Sequence, residues 1–182
     1  IQLDGSSQAS ITAQDVDNGS LDNCSVNLSV FPYAFTCADV GTPVTVTLTG
    51  TDPSGNSDTA TALVTVVDPI PPVAVADPST SLMFFLDENG AVTITPEDID
   101  MGSEDNCSVE LSVSPNSFTC DDIGNFIVVI LTATDPSGNT DTDTSMIMIL
   151  DGVYPTAVAK DILVELDENG QASITAADVD DG

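Results

Sequence analysis

The sequence of 182 residues has no histidine, no arginine and no tryptophan, and Lys160 is its only basic residue. Against that single positive side chain stand 30 Asp and Glu residues, which give a formal net charge of −29. Binding to phosphate backbones or to an anionic membrane surface requires Lys and Arg. The composition therefore excludes nucleic acid as a natural partner and favours cations.

Catalytic motifs are also missing from the chain. Without histidine there is no Cys–His pair, and the sequence contains no Gly-rich phosphate loop and no nucleophile elbow. Paired carboxylates can hydrolyse glycosides, but the acids here recur in every repeat, and aromatic residues make up only 4% of the chain. We expect no enzymatic activity.

High charge with few aromatic residues is also typical of disorder. Here 41% of the residues are hydrophobic, and they recur in short β-rich runs such as residues 44–48. No apolar run approaches the roughly 20 residues that a membrane-spanning helix needs. The pattern predicts folded β domains and no membrane insertion.

Internal repetition is the strongest feature of the sequence. Cys24 returns as Cys107 and Cys37 as Cys120, each 83 positions later, and Leu86 returns as Leu166 after 80 positions. Proline-rich joints follow Asp68 and Asp151. We predict three segments: residues 1–68, a repeat lacking most of its first strand; residues 69–151, a complete repeat; and residues 152–182, the start of a third.

Alternating apolar residues and turn signals predict about seven short strands per repeat and no long helix. This pattern favours an all-β chain of tandem immunoglobulin-like β-sandwich domains in a linear array. The predicted strands are residues 10–12, 25–30, 33–37, 44–50 and 60–67, with residues 81–86 and 162–166 as the first strand of later repeats. One helical turn is predicted at residues 176–179. Residues 1–19 correspond to 164–182, so joining copies head to tail would duplicate the second strand, and we favour a window of a longer array.

The run Phe35-Thr36-Cys37, the strand at residues 44–47, the turn Thr51-Asp52-Pro53-Ser54-Gly55-Asn56 and the strand at residues 64–68 resemble the hyalin-repeat family. They are also similar to the repeats of very large bacterial surface adhesins. The resemblance covers each repeat, and it implies an extracellular binding or spacer module. Hyalin repeats usually carry a cysteine just after that turn, whereas residues 59–62 contain none, so the family's disulfide topology does not transfer.

Each full repeat contains two cysteines 13 positions apart. The simplest interpretation is pairing within the repeat, as Cys24–Cys37 and Cys107–Cys120, which indicates a compartment outside the cytosol. A metal site is the alternative, but no Cys-x-x-Cys pair and no histidine is present.

Acidic residues concentrate in two loops of each repeat, which an immunoglobulin-like fold places at the same end of the sandwich. Neighbouring carboxylates repel one another, and Ca²⁺ relieves that repulsion with six to eight oxygen ligands, whereas Mg²⁺ requires a stricter octahedron. The alternative is that these residues are ordinary solvated turn formers. We predict calcium ligands among Asp15, Asp17, Asp22, Asp52, Asp58, Asp98, Asp100, Asp105, Asp135, Asp141, Asp178 and Asp180. A second, interdomain metal site is predicted from Asp68, Asp87, Glu88 and Asp151.

The two repeats differ on one strand face, where Val128 and Ile130 replace Thr45 and Thr47. Together with Phe85, Met146 and Met148, they are predicted to form an outward apolar patch for self-association into a filament or bundle. The sequence thus predicts a structural segment of an extracellular, calcium-stabilised cell-surface fibre whose partners are other copies of itself. The alternative is an adhesin module that binds a glycan or protein ligand.

Overall fold

The computed structural model describes residues 1–79 and 82–181, and its regular structure is mostly β-strand. The first repeat contains β1 (Gln8–Ser10), α1 (Ala13–Val16), β2 (Asn27–Phe31), β3 (Ala34–Thr36), β4 (Val44–Thr51) and β5 (Ser57–Val64). The second contains β6 (Leu82–Phe85), β7 (Ala91–Thr93), β8 (Glu110–Ser114), β9 (Ser117–Thr119), β10 (Phe126–Thr134) and β11 (Thr140–Leu150). Short 3-10 turns follow at Cys37–Asp39, Pro96–Asp98 and Cys120–Asp122, and α2 (Ala176–Val179) lies in the third segment.

The strands of each repeat form one larger and one smaller sheet. The first repeat has the order β2-β4-β5 beside the pair β1-β3, and the second has β6-β11-β10-β8 beside the pair β7-β9. All these pairings are antiparallel except that β6 runs parallel to β11. The strand before each Asp-rich turn and the strand after it pair as a long hairpin, as the period-two alternation predicted.

Two separate apolar cores lie between these sheets. In the first repeat Leu3, Phe35, Val46 and Val66 are buried, and in the second the core includes Val129, Leu131, Ile147 and Ile149. These residues alternate along their strands with outward side chains, because successive residues of a strand point to opposite faces. Each repeat therefore buries its own apolar face.

Residues 73–77 form an extended segment that precedes β6 and that the sequence did not identify. The backbone N–H of Val73 donates to the carbonyl of Glu104 at 2.8 Å, and the N–H of Glu104 donates to the carbonyl of Val73 at 3.1 Å. Ala74 and Ala76 are buried. The predicted strand at residues 81–86 is observed as β6, while Ser81 lies outside the described residues.

The third segment differs from its prediction. Residues 162–166 are not a strand, and their side chains are exposed. In the second repeat the corresponding β6 pairs with β11, the last strand of its own repeat. Within the described part of the chain, residues 162–166 pair with no other strand. The predicted helical turn is observed as α2.

Candidate functional site

The junction between the first two repeats is closed by a disulfide between Cys37 and Cys107. Cys37 begins the 3-10 turn after β3, and Cys107 lies in the loop before β8. Their Cα atoms are 5.4 Å apart, although 70 positions separate them in the sequence. The Ser7 hydroxyl donates a hydrogen bond to the backbone carbonyl of Asn106 across the same junction. The disulfide therefore links one repeat to the next.

The predicted pairing within each repeat, Cys24–Cys37 and Cys107–Cys120, is wrong. Cys24 and Cys120 are exposed free thiols in the structure. The two cysteines of a repeat flank a pair of consecutive strands, but these strands join different sheets, β2 with β4 and β3 with β1. The strands therefore diverge instead of forming a hairpin that would bring the cysteines together.

The linker residue Asp68 is the centre of the junction and is only 3% exposed. Its backbone N–H donates to the Ser137 hydroxyl at 3.0 Å, and its backbone carbonyl accepts from the Asn139 side-chain amide at 2.9 Å. Its carboxylate accepts from the Asn106 side-chain amide at 2.9 Å and from the backbone N–H of Ile70 at 3.1 Å. The linker is thus bonded to both acidic loops of the second repeat.

Two buried oxygen atoms at this junction receive no hydrogen bond, namely Oδ1 of Asp105 and Oδ1 of Asn106. The Asp68 and Asp105 carboxylates and the Cys107 sulfur lie within 4.8 Å of one another, the one such group of potential metal ligands among the described residues. The Cys107 sulfur is held in the disulfide and is not a thiolate, so the ligands available here are oxygens.

A hard cation fits this arrangement of oxygen atoms. Burying unpaired carboxylates is costly, and the chain has no basic residue other than Lys160 to compensate them. Ca²⁺ binds carboxylate oxygens in flexible geometry, so the Asp68 and Asp105 carboxylates are suitable ligands for it. Asp68 and Asp105, which the sequence assigned to two different predicted sites, therefore belong to one group of potential ligands.

The predicted ligands of the first repeat do not gather in the same way. Their carboxylates bond to their own loops, where the bond from the Thr12 backbone N–H lowers the pKa of Asp15 and those from Ser20 lower the pKa of Asp17. Asp22 accepts from the Cys24 backbone N–H at 2.8 Å. The side-chain amide of Asn56 is the largest cause of the lowered pKa of Asp52. Asp58 accepts the backbone N–H of Thr59.

Several predicted ligands of the second and third segments likewise bond to backbone. Asp98 and Asp178 cap the turns that follow Thr95 and Thr175. Asp135 is buried and accepts both the backbone and side-chain N–H groups of Asn139. Burial raises the pKa of Asp100, but hydrogen bonds from Ser103 outweigh it and leave that pKa lowered.

The other predicted interdomain ligands are not part of the junction. The backbone N–H of Ala91 is the largest cause of the lowered pKa of Asp87, and Asp151 accepts from the backbone N–H of Val153. Across the described residues, Asp87, Glu88, Asp151, Asp178 and Asp180 form no group of three potential metal ligands.

Two acidic residues have a role that the sequence did not suggest. The carboxylates of Asp141 and Asp143 accept the backbone N–H groups of Ala74 and Ala76 at 3.0 and 2.9 Å. They hold the extended segment at residues 73–77 against the β10–β11 hairpin. The sequence did contain a signal for this role. Asp141 and Asp143 are two positions apart in β11, and the two-residue period of a strand places both side chains on the same face of the sheet.

The predicted apolar patch lies on one face of the four-stranded sheet. Val128 pairs with Met146, Phe126 with Met148, and Leu150 with Phe85. The side chains of Phe85, Val128 and Ile130 are 58, 53 and 44% exposed, and Met83 and Phe126 extend the same face.

No family model matches the chain, and no curated protein matches it at a significant level. No helix in the described part of the chain is long and apolar enough to cross a membrane.

Proposed function

We propose that this chain is a structural segment of an extracellular fibre, built from immunoglobulin-like repeats whose junctions are fixed by a disulfide and a calcium ion. The observation that carries this proposal is the junction itself, where Cys37–Cys107 and the buried linker residue Asp68 join consecutive repeats. A disulfide is typical of proteins outside the cytosol. A spacer needs fixed joints, whereas a flexible tether does not.

The charge of the junction supports calcium as the bound ion. Asp68 and Asp105 bring two carboxylates together, and Oδ1 of Asp105 is buried without a hydrogen-bond donor. Two carboxylates leave several positions of a Ca²⁺ ion to water or backbone carbonyls, which its flexible coordination accepts. Binding would also counter the repulsion within a chain of net charge −29.

The test is thermal unfolding of the oxidised chain in millimolar Ca²⁺, in excess chelator and in Mg²⁺. A ligand that binds only the folded form stabilises it, by about 2.7 kcal/mol at a hundredfold excess over Kd. We expect Ca²⁺ to raise the melting temperature by several degrees, with a smaller effect of Mg²⁺.

Sequence-equivalent variants provide the control. Asp68→Asn and Asp105→Asn remove ligands of the junction, whereas Asp151→Asn and Asp22→Asn make the same change at the matching exposed positions of other segments. We expect the first pair to lose the Ca²⁺ response and the second pair to keep it. Equal responses in all four variants, or none in the wild type, would remove calcium from the proposal.

Stiffness is measured separately by small-angle X-ray scattering. With Ca²⁺ present and the disulfide intact, we expect one narrow distribution of interatomic distances. Chelator and reductant together should broaden it, because both constraints on the junction are then released. An unchanged distribution would show that neither constraint holds the repeats.

A further inference from the structure

The disulfide of the junction lies against the two carboxylates described above. Oxygen atoms of Asp68 and Asp105 and the sulfur of Cys107 lie within 4.8 Å of one another. The Cys37 sulfur is bonded directly to the Cys107 sulfur, so it adjoins the same group. Two sulfurs and two carboxylates therefore meet at one point between the repeats.

These four side chains come from separate parts of the chain. Cys37 begins the turn after β3, Asp68 lies in the linker, and Asp105 and Cys107 belong to the loop before β8. Cys37 and Cys107 are 70 positions apart, yet their Cα atoms are 5.4 Å apart. A local spacing such as Cys-x-x-Cys does not signal this combination, because it forms only when the two repeats pack together.

The oxidation state of the two sulfurs decides which metal ion the group suits. A disulfide sulfur is not a thiolate, so the oxidised junction offers oxygen ligands, which suit Ca²⁺. Reduction adds two thiolates, and two sulfurs with two carboxylate oxygens supply the four ligands of a tetrahedral zinc ion. Because the chain contains no histidine, the carboxylates are the side chains that complete such a set.

The size of the group fits a tetrahedral ion. Zinc binds carboxylate oxygen at about 2.0 to 2.2 Å and thiolate at about 2.3 Å, which places neighbouring ligands about 3.3 to 3.8 Å apart. The atoms from Asp68, Asp105 and Cys107 lie within 4.8 Å of one another, so side-chain rotations bring them to that size. Two cysteines with Cα atoms 5.4 Å apart can both reach one such ion.

Hydrogen bonds around the group orient its members. The Asn106 side-chain amide donates to the Asp68 carboxylate at 2.9 Å and to the Cys107 sulfur at 3.7 Å. The backbone N–H of Cys107 donates to Oδ2 of Asp105 at 2.8 Å, while Oδ1 of Asp105 is buried without a donor. Outer hydrogen bonds of this kind hold metal ligands in position. Asp105 thus keeps one oxygen free for an ion.

Charge also favours a dication in the reduced junction. Two thiolates beside two carboxylates repel one another, and the only basic residue of the chain is Lys160. Asp68 is buried, so this repulsion acts largely out of water, where screening is weak. Zinc relieves it, and each thiol gives up its proton when it binds the ion.

We propose that the reduced junction is a zinc site with four ligands, the thiolates of Cys37 and Cys107 and the carboxylates of Asp68 and Asp105. A newly made chain carries these sulfurs as thiols, so zinc binds before the disulfide forms. The site shares its carboxylates with the calcium position of the proposed function, but it requires no calcium because it exists in the reduced chain.

Oxidation exchanges zinc for the disulfide, with a small-molecule disulfide such as oxidised glutathione as the oxidant. One cysteine thiolate attacks the oxidant and releases one glutathione thiolate, and the other cysteine then attacks the mixed disulfide and releases the second. One sulfur–sulfur bond breaks and one forms, and two electrons pass to glutathione. Zinc leaves because two of its four ligands are lost.

The experiment uses Co²⁺ as an optical probe of the zinc position. The full chain carries Cys24→Ser and Cys120→Ser, so Cys37 and Cys107 are its only cysteines. A water-soluble phosphine reduces their disulfide, with the phosphorus taking oxygen from water and both sulfurs gaining protons, and is removed before the titration. We expect one Co²⁺ per chain, with sulfur-to-metal absorption and the visible absorption of a tetrahedral ion. One Zn²⁺ should displace it, and the oxidised chain should show neither absorption.

Single substitutions in this background test each kind of ligand. Cys37→Ser should abolish most of the sulfur-to-metal absorption. Asp68→Asn and Asp105→Asn should each weaken Zn²⁺ binding by about tenfold or more, since even outer-shell changes have effects of that size. The matched controls Asp151→Asn and Asp22→Asn make the same change at exposed positions 83 residues away and should bind as the parent does.

Zinc release is measured with a chromogenic chelator after oxidised glutathione is added to the zinc-loaded chain. We expect one Zn²⁺ to be released for each Cys37–Cys107 bond that forms. Zinc that stays bound after the disulfide has formed would overturn the proposal, because the sulfurs would then not be ligands.

Two further results would also overturn it, namely no Co²⁺ binding by the reduced chain, or a Co²⁺ spectrum and affinity that both Asp→Asn variants leave unchanged. Circular dichroism of the reduced chain shows whether each variant is folded, and the Asp variants keep both cysteines. The calcium response is read from the oxidised chain, so failure of either proposal is seen independently of the other.

Discussion

At the scale of single side chains, the Asp residues fall into two groups, those that accept hydrogen bonds from their own turns and those that lie at the junction between repeats. Asp15 and Asp87 are exposed, Asp52 is half-buried, and all three accept hydrogen bonds from their own turns, which lowers each pKa. Asp68 is buried and reaches across a junction, and Asp105 has an oxygen with no donor. The same residue type therefore caps turns in one place and provides a cation ligand in the proposed junction.

Cysteine pairing gives the prediction at this scale. Removing the Cys37–Cys107 bond opens a loop of about 70 residues, which costs roughly 4 kcal/mol in the chain-entropy model. Cys37→Ser should therefore lower the free energy of unfolding substantially in urea, whereas Cys24→Ser should leave it nearly unchanged. Equal losses, or a mapped Cys24–Cys37 peptide, would contradict the structure.

The strands show how far the sequence determines structure at the scale of elements. Period-two alternation was sufficient for β4, β10 and β11, because each of these strands buries alternate side chains on one face of its sheet. β5 is largely exposed and is held as the hairpin partner of β4. The segment at residues 73–77 was missed because its bonds run mainly to side chains and loops, not to one neighbouring strand. Such partners leave no periodic signal.

The disulfide and the junction were beyond prediction for a similar reason. Spacing shows which cysteines repeat, but it does not show which sheet each flanking strand joins. Asp68 and Asp105 were both named as ligands, yet only the packing of the linker on the second repeat brings them together. The short distance between Asp68 and Asp105 depends on contacts between repeats, and the regular pattern within one repeat does not encode those contacts.

Acid should release the segment at residues 73–77 before the rest of the second repeat. Its bond from the Ala76 N–H is the largest cause of the lowered pKa of Asp143, whose ordinary value is 3.8. Because the pKa of this carboxyl is lower in the folded protein than its ordinary value, the ionised carboxylate stabilises the folded state at pH values above 3.8. That stabilisation is lost as the pH falls through the folded-state pKa. We expect hydrogen exchange at Ala76, corrected for the intrinsic rate, to accelerate below about pH 3.8.

Asp143→Asn provides the control for this acid effect. The amide has nearly the same shape as the carboxyl group but does not titrate. Hydrogen exchange at Ala76 should therefore be faster in the variant than in the wild type at neutral pH. In acid, the variant should lack the acceleration that titration of Asp143 causes in the wild type. If wild type and variant show the same pH profile, the carboxylate does not hold the segment.

At the scale of the whole molecule, the repeats are related but not equivalent. Both share the acidic loops and a common set of three strands, β2-β4-β5 in the first repeat and β8-β10-β11 in the second, whereas only the second carries the apolar face that contains Val128, Ile130 and Phe85. The Cys37–Cys107 bond joins consecutive repeats of one chain. A face on the side of one repeat would instead bring neighbouring chains together laterally.

The double variant Val128→Thr with Met148→Thr tests lateral packing, since it makes one repeat polar where the other has Thr45 and Thr65. Light scattering under reducing conditions, where Cys24 and Cys120 cannot cross-link, should show smaller assemblies than the wild type. The reciprocal change, Thr45→Val with Thr47→Ile, places apolar residues on the first repeat and should enlarge them. An apolar face promotes association by the apolar area that it removes from water, and both double variants change that area. If neither changes the size of the assemblies, the exposed apolar face has no role in self-association.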